Sequence, residues 1–187
     1  MDELTIKKIE LFKVPPRWLF LKITTKCGIV GWGEPVIEGK ADTVMACVKE
    51  LEQYLIGRPA NTIEDIWQVL YRGGFYRGGP ILMSAISGID QALWDIKGKF
   101  LNVPVYELLG GAVRQKMKMY CWIGGDNPDV VLEQARKKIE QGYQAVKMNA
   151  TGAMEWVSSI KDIKKVVNNI KLLREEFGYD LDIGLDF

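Results

Sequence analysis

Residues 81–111 read ILMSAISGIDQALWDIKGKFLNVPVYELLGG. Leu82, Ile86, Ile89, Leu93, Ile96 and Phe100 recur at the three- and four-residue spacing of a helix. Ala85 and Ala92 widen this stripe until most of the surface is apolar, which predicts a buried helix. Gly79-Pro80 starts it, because proline's fixed φ suits the first helical position. Asn102 and Val103-Pro104 stop it, because a residue before proline avoids the helical region. A one-turn helix over 104–109, closed by Gly110-Gly111, follows. A buried helix needs elements around it, so the sequence on either side must supply them.

On the N-terminal side, 5–14 is a β-forming run broken by Pro15-Pro16-Arg17-Trp18. Leu19, Leu21 and Ile23 then alternate with Phe20, Lys22 and Thr24, as in a half-buried strand, and 29–33 predicts a third strand. Short connections make the three an antiparallel meander. A helix with Val44, Cys47, Val48, Leu51 and Leu55 on one face follows, closed by Gly57. Thr62 and Asp65 have the spacing of a capping box before Ile63, Ile66, Trp67 and Leu70. On the C-terminal side, 116–123, 143–149 and 181–187 predict strands. Helices from Asn127-Pro128 to Gly142 and over 162–177 separate them, the second with Ile163, Val166, Val167, Ile170 and Leu173 inward. Strand and helix in alternation specify a parallel sheet. The expected architecture is therefore an α+β domain over 1–111, a three-stranded antiparallel meander plus helices. A partial (β/α) barrel of about three strands follows over 112–187. A closed barrel takes ~250 residues, and this chain stops within a strand pattern. The expectation is a truncated enzyme whose last strand has an open edge.

Composition narrows the chemistry. The 187 residues are 48% hydrophobic and 26% charged, with a net charge of +1, which gives no electrostatic case for nucleic acid or an anionic membrane as partner. No apolar run approaches the ~20 residues of a spanning helix. Met1-Asp2-Glu3 lacks the order of an export signal, so the cytoplasm is the expected location. Cys27, Cys47 and Cys121 have no paired spacing and read as reduced thiols in the core or strands. Histidine is absent, which excludes Ser–His and Cys–His hydrolysis and leaves carboxylates, lysines, tyrosines and cysteines for any chemistry.

Strand parity then selects candidates. Ala145, Lys147 and Asn149 share one face and Val146 and Met148 the other; Asp182, Gly184 and Asp186 oppose Ile183, Leu185 and Phe187. The polar set should point into the barrel at the strands' C-terminal ends, where barrel active sites lie. Lys147 and Asp186 are thus candidate site residues. The plainer readings are a solvated strand-end lysine and a loop or capping aspartate.

The run AISGIDQALWDIKGKFLNVPVYELLGG from Ala85, with YRGGFYRGGPILMS before it, resembles the cap-to-barrel junction of the enolase superfamily, in its mandelate racemase-like branch. Within that branch it is most similar to the galactonate dehydratases. The likeness extends over 6–187 and covers the first half of such an enzyme. It implies removal of a proton α to a carboxylate, with Mg²⁺ held by three carboxylates on successive strands. Asp186 matches the first of the three. Many relatives carry Lys-x-Lys on the second strand with the last lysine as base. Here the run is Lys147-Met148-Asn149, which implies that Lys147 polarises the substrate carboxylate and Asn149 hydrogen-bonds it. Loss of that base argues against racemisation and fits dehydration of a sugar acid, galactonate foremost, to a 2-keto-3-deoxy acid and water. The family's two catalytic histidines and its remaining metal ligands have no counterpart, so the 187-residue chain is expected to be inactive. Arg17 and Trp18 match the loop that closes over the family's active site and would bind substrate; otherwise they form a surface hairpin tip. The parent enzyme is expected to be a homo-oligomer. Two other readings stay open: another sugar-acid dehydratase or epimerase of the branch, and a non-catalytic remnant that binds intact subunits.

Two stretches carry no such match. Residues 71–79, YRGGFYRGG, suggest the Arg-Gly-Gly units of RNA-binding tails. Their place directly before a buried helix favours a packed glycine loop touching substrate or a neighbouring subunit. Gly124-Gly125-Asp126 is a loop after the first barrel strand without a specific chemical signal.

Overall fold

The computed structural model describes residues 3–124 and 127–186. The chain divides into two compact units, Met1–Val113 and Arg114–Phe187. Gly125, Asp126 and Phe187, named above in a loop and a strand, lie outside the described residues.

In the first unit β1 (Ile6–Val14), β2 (Trp18–Thr25) and β3 (Val30–Gly33) form an antiparallel sheet in the order β1-β2-β3. Four helices follow: α1 (Ala41–Leu51), α2 (Ile63–Arg72), α3 (Pro80–Leu101) and the one-turn α4 (Val105–Leu108). Leu19, Leu21 and Ile23 all point inward, as their alternation requires, and are fully buried. They meet Ile86, Ile89, Leu93 and Ile96 of α3 in one core cluster with Val44, Val48, Ile66 and Leu70. α3 packs against β2, β3, α1 and α2. Pro80 opens it, and Asn102 ends it in the left-handed conformation at φ 55°.

The approach of α3 to β3 depends on missing side chains. A Cβ at Gly33 would stand 1.8 Å from the Gly88 carbonyl oxygen, and one at Gly31 would stand 2.0 Å from that of Ala92. Close approach lets polar side chains of α3 cover the open edge of β3. The Trp32 N–H donates to Asp95 at 2.9 Å and the Glu34 N–H to Gln91 at 2.9 Å. Lys99 donates to the Val30 carbonyl at 2.9 Å and to Asp95 at 2.7 Å. An edge strand left with free N–H and C=O groups is a template for aggregation; here the helix satisfies it.

Several local expectations fail in this unit. Phe100 leaves the core stripe and is 50% exposed. Lys99 already caps β3 at Val30, its first residue, so no sheet lies beyond for Phe100 to cover. The Thr62–Asp65 capping box does not form: the Thr62 hydroxyl donates to the Pro59 carbonyl at 2.9 Å and Asp65 pairs with Arg58 at 2.9 Å. Gly57 does not close α1, which ends at Leu51 and continues as a 3₁₀ turn over Glu52–Tyr54. The Gly57 N–H instead donates to Ile6. The loop 73–79 is not packed within its chain, for Phe75 is 93% and Tyr76 88% exposed.

The second unit holds β4 (Cys121–Trp122), α5 (Pro128–Glu140), β5 (Ala145–Asn149), α6 (Ile160–Phe177) and β6 (Asp182–Asp186), with a parallel sheet in the order β4-β5-β6. Asn127 caps α5, accepting from the Asp129 N–H at 2.9 Å with Pro128 at the first position. Ser159 and Asp162 form a reciprocal capping box, so α6 starts at Ile160, earlier than expected. The strand expected over 116–123 contracts to Cys121–Trp122. The register Cys121↔Val146 places 116–119 opposite 141–144, the turn that ends α5, so no ladder can form there. On α6, Leu173 is buried, but Ile163 and Val167 are 58% and 59% exposed. α5 packs against α6, yet the small core gathers around Leu173, toward the C-terminal half of α6. Among the described residues no helix is long and apolar enough to cross a membrane, and the three cysteines are free.

Candidate functional site

The pleat of β5 sends Val146 and Met148 into the core with Val131, Ala135 and Leu173. Lys147 and Asn149 must therefore face the other way. β6 pairs with β5 in the register Lys147↔Gly184 and Asn149↔Asp186. Directly paired residues share a face, so Asp186 stands beside Asn149 at the C-terminal ends of the two strands. Gly184 presents no side chain beside Lys147, whose Cγ lies 3.6 Å from where a Cβ would be. The lysine can thus cross to the neighbouring strand, and its ammonium reaches the Asp186 carboxylate at 2.5 Å.

This pairing favours the charged lysine. The hydrogen bond to Asp186 raises the Lys147 pKa above its ordinary value, partial desolvation opposes it, and the Asp186 charge adds to the rise. The contact favours the charged form of Lys147, and as a charge it can hold or polarise a carboxylate.

Parity along β4 adds residues that the sequence reading left unassigned. Trp122 pairs with Lys147, so Trp122 and Tyr120 join the lysine face. The Lys147 ammonium lies 5.9 Å from the centroid of the Tyr120 ring. Lower on the same face Lys118 pairs with Asp182 at 2.5 Å, and that contact holds the Asp182 carboxyl below its usual range. An open concavity of about 400 Å³ borders Tyr120, Lys147, Asp182 and Gly184. The signal was present in the run KMKMYCWI, where Lys118, Tyr120 and Trp122 alternate with Met117, Met119 and Cys121. The loop after β4 is pinned from α5, since Gln134 accepts from the Gly124 N–H at 3.0 Å and donates to its carbonyl at 2.8 Å.

At the hairpin of the first unit, Arg17 sits in the β1–β2 turn, whereas Trp18 is not a loop residue but opens β2 opposite Val14. The guanidinium lies 5.2 Å from the Trp18 ring centroid and pairs with Glu38 at 2.8 Å. Both partners are well exposed, so the arginine holds a carboxylate where solvent and small molecules can reach it. Lys147, Asn149 and Asp186 thus come together on one sheet face, and Arg17 and Trp18 come together at one hairpin. Among the described residues no group of three His, Cys, Asp or Glu side chains is placed to hold a metal. Asp186 is a single oxygen donor of the type a hard divalent cation takes.

Comparison with known proteins follows the same division. Residues 15–110 match the mandelate racemase / muconate lactonizing enzyme N-terminal domain. The chain is 57% identical over 182 residues to a D-galactonate dehydratase of Pectobacterium atrosepticum and 54% identical over 182 residues to one of Cronobacter sakazakii. Each match covers 97% of this chain and 48% of the relative, so the chain spans about half the length of these curated relatives. Among solved structures, an enolase from Pantoea ananatis with bound D-gluconate and Mg superposes with a TM-score of 0.85 at 27% identity, over 97% of this chain and 53% of that one. A mandelate racemase/muconate lactonizing enzyme from Sulfitobacter gives 0.87 at 26%, over 98% and 52%.

Proposed function

The chain belongs to the mandelate racemase / muconate lactonizing enzyme family of the enolase superfamily, and from that premise we propose that it is the substrate-polarising half of a Mg²⁺-dependent sugar-acid dehydratase acting on D-galactonate. The observation that carries this reading is the Lys147–Asp186 pair beside Asn149, on one face at the C-terminal ends of β5 and β6. Identity of 54–57% to two D-galactonate dehydratases supports the choice of substrate.

In this reading Asp186 is one oxygen ligand of the cation, which when bound supplies positive charge against the negative charge that develops on the substrate carboxylate as the α-proton leaves. Lys147, kept protonated, donates to the same carboxylate. Asn149 orients it through its amide, and having no basic nitrogen it leaves proton removal to the opposite face of the substrate. Tyr120 and Trp122 bound the face on which the acid lies. Arg17 exchanges Glu38 for a substrate carboxylate or hydroxyl, and Trp18 shields that contact from water. The 187-residue chain alone contributes one carboxylate ligand and no histidine, so it does not turn over. The enzyme assembles as a homo-oligomer in the cytoplasm.

The test is a chimera of residues 1–187 with the C-terminal half of the Pectobacterium atrosepticum enzyme, assayed with D-galactonate and Mg²⁺. Dehydration is expected, with kcat reduced by about 10²–10³ in Lys147→Met, the cost of losing one preorganised electrostatic contact. A chimera indifferent to Lys147→Met and Asp186→Asn, or turnover by the unfused chain, would refute the assignment. A preference for another sugar acid would move the substrate and leave the residue roles intact.

A further inference from the structure

Two aromatic side chains share the face of Lys147, and they are not equivalent. Trp122 is the lysine's direct partner in the β4–β5 ladder. Its indole nevertheless leans along the chain onto Gly124, where a Cβ would stand 2.0 Å from the ring. Tyr120, two residues earlier on the same face, is the ring that the ammonium meets, 5.9 Å from its centroid. Backbone contacts on either side fix where that ring starts. The Cys121 thiol donates to the Ala145 carbonyl at 3.7 Å. Ile123 is fully buried, and its N–H donates to the Lys147 carbonyl at 2.8 Å. With Cys121 and Ile123 committed to the core side, Tyr120 is held on the lysine side.

A lysine stem is long and flexible, so one contact at its tip does not fix its position. Asp186 supplies such a contact at 2.5 Å. Gly184 adds no side chain from β6 to brace the stem. In the functional reading Asp186 is also an oxygen ligand of a divalent cation. A second positive charge at that carboxylate repels the ammonium and loosens its hold. The tyrosine ring is neutral, so the cation does not compete for it, and its face attracts an ammonium. Of the two contacts, the ring is the one that survives when the aspartate is engaged.

We propose that Tyr120 is the positioning residue of Lys147, its ring holding the ammonium on the β5–β6 face whether or not Asp186 is engaged elsewhere. This rests on the assignment of Lys147 to the substrate carboxylate and adds a residue that acts only through that lysine. The ring face is what matters and the hydroxyl is not. Phenylalanine should therefore serve in its place, and leucine should not.

Nuclear magnetic resonance of the 187-residue chain tests the contact, with circular dichroism to confirm folding. Overhauser contacts between the Lys147 ε-methylene and the Tyr120 ring are expected in the native chain. They should persist in Asp186→Asn, which removes the ion pair and keeps the shape. Their absence from Asp186→Asn overturns the proposal. The chimera described above tests the consequence. Charge on the substrate carboxylate grows as the α-proton leaves, so a misplaced lysine costs kcat more than KM. Tyr120→Leu should lower kcat about two- to fivefold with KM little changed, the worth of an exposed cation–ring contact. Tyr120→Phe should retain the native kcat. In a Lys147→Met background Tyr120→Leu should cost nothing more, because the residue it positions is gone. Indifference to Tyr120→Leu, an equal loss in Tyr120→Phe, or a further loss in the Lys147→Met background overturns the proposal. If Lys147→Met itself costs nothing, the functional reading falls, and the Overhauser contacts in Asp186→Asn still decide whether the ring holds the lysine.

Discussion

The antiparallel and the parallel sheet of this chain solve the same problem to different extents. Each needs one face buried and its edges dealt with. In the first unit α3 does both, burying Ile86, Ile89, Leu93 and Ile96 against β2 and β3 while Asp95, Gln91 and Lys99 satisfy the edge of β3. Twenty buried apolar residues form its core cluster, against seven in the second unit, among the described residues. At roughly 1.5–3 kcal/mol of gross transfer energy per large side chain, the first unit draws the larger share of apolar stabilisation. The second sheet spends one face on ionic pairs, Lys118–Asp182 and Lys147–Asp186. The face that carries candidate chemistry is therefore one that does little for stability.

The sharpest way to break this comparison is to make the same substitution in both sheets. Gly33→Ala drives a methyl against the backbone of α3, 1.8 Å from a carbonyl oxygen. It should destabilise the first unit by more than about 4 kcal/mol, the range of exceptional core lesions. Gly184→Ala meets its nearest neighbour at 3.6 Å, and should change stability by less than about 0.5 kcal/mol. Urea melts followed by far-UV circular dichroism read both. Equal costs would remove the distinction between a helix-clamped and an open sheet.

A smaller effect tests the edge. Asp95→Ala leaves the Trp32 N–H without its acceptor and Lys99 without its anion, and should cost about 1–3 kcal/mol. Light scattering on heating should show earlier aggregation than for Gln53→Ala, whose side chain donates to the exposed Glu50 carbonyl. If both variants scatter alike, β3 is not protected by α3.

The mildest test concerns the cap of α6. Ser159→Ala should cost about 0.5–2 kcal/mol, seen as a shift of the second unit's melt alone. Hydrogen bonds from the Ser159 hydroxyl and N–H hold the Asp162 carboxyl below its usual range, nearby lysines adding to the effect. A depressed carboxylate stabilises above its unfolded pKa and ceases to as pH falls through its folded one. The Ser159→Ala deficit should therefore be full at neutral pH and shrink in acid. A deficit that grows on acidification would contradict the capping box.

Legibility in the sequence followed the range of the interaction. The α3 stripe from Leu82 to Ile96, its proline start and its Asn102 stop were all readable, since each rests on residues within a turn of one another. The inward set Leu19, Leu21 and Ile23 was readable for the same reason. Phe100 was misassigned because periodicity does not say where the opposing sheet ends. The Thr62–Asp65 spacing misled because Arg58 and the Pro59 carbonyl, brought close by the chain's path, outcompete the cap. Ile163 and Val167 were placed inside by a pattern that does not know how much core the unit has. In the candidate site, Lys147 and Asn149 share a face by pleat alone, but Tyr120 and Trp122 went unassigned until the β4 register was known.

By itself the sequence determined periods: which residues form helix or strand, and which side of its own element each faces, because backbone geometry repeats every 3.6 or 2 residues whatever surrounds it. The tertiary structure alone decided partners. It set Asn149 opposite Asp186, closed Lys147 onto the aspartate across Gly184, joined Arg17 to Glu38, and laid Asp95 along the β3 edge. Those pairings are chosen by register and packing between segments tens of residues apart, and no local repeat encodes the distance between them.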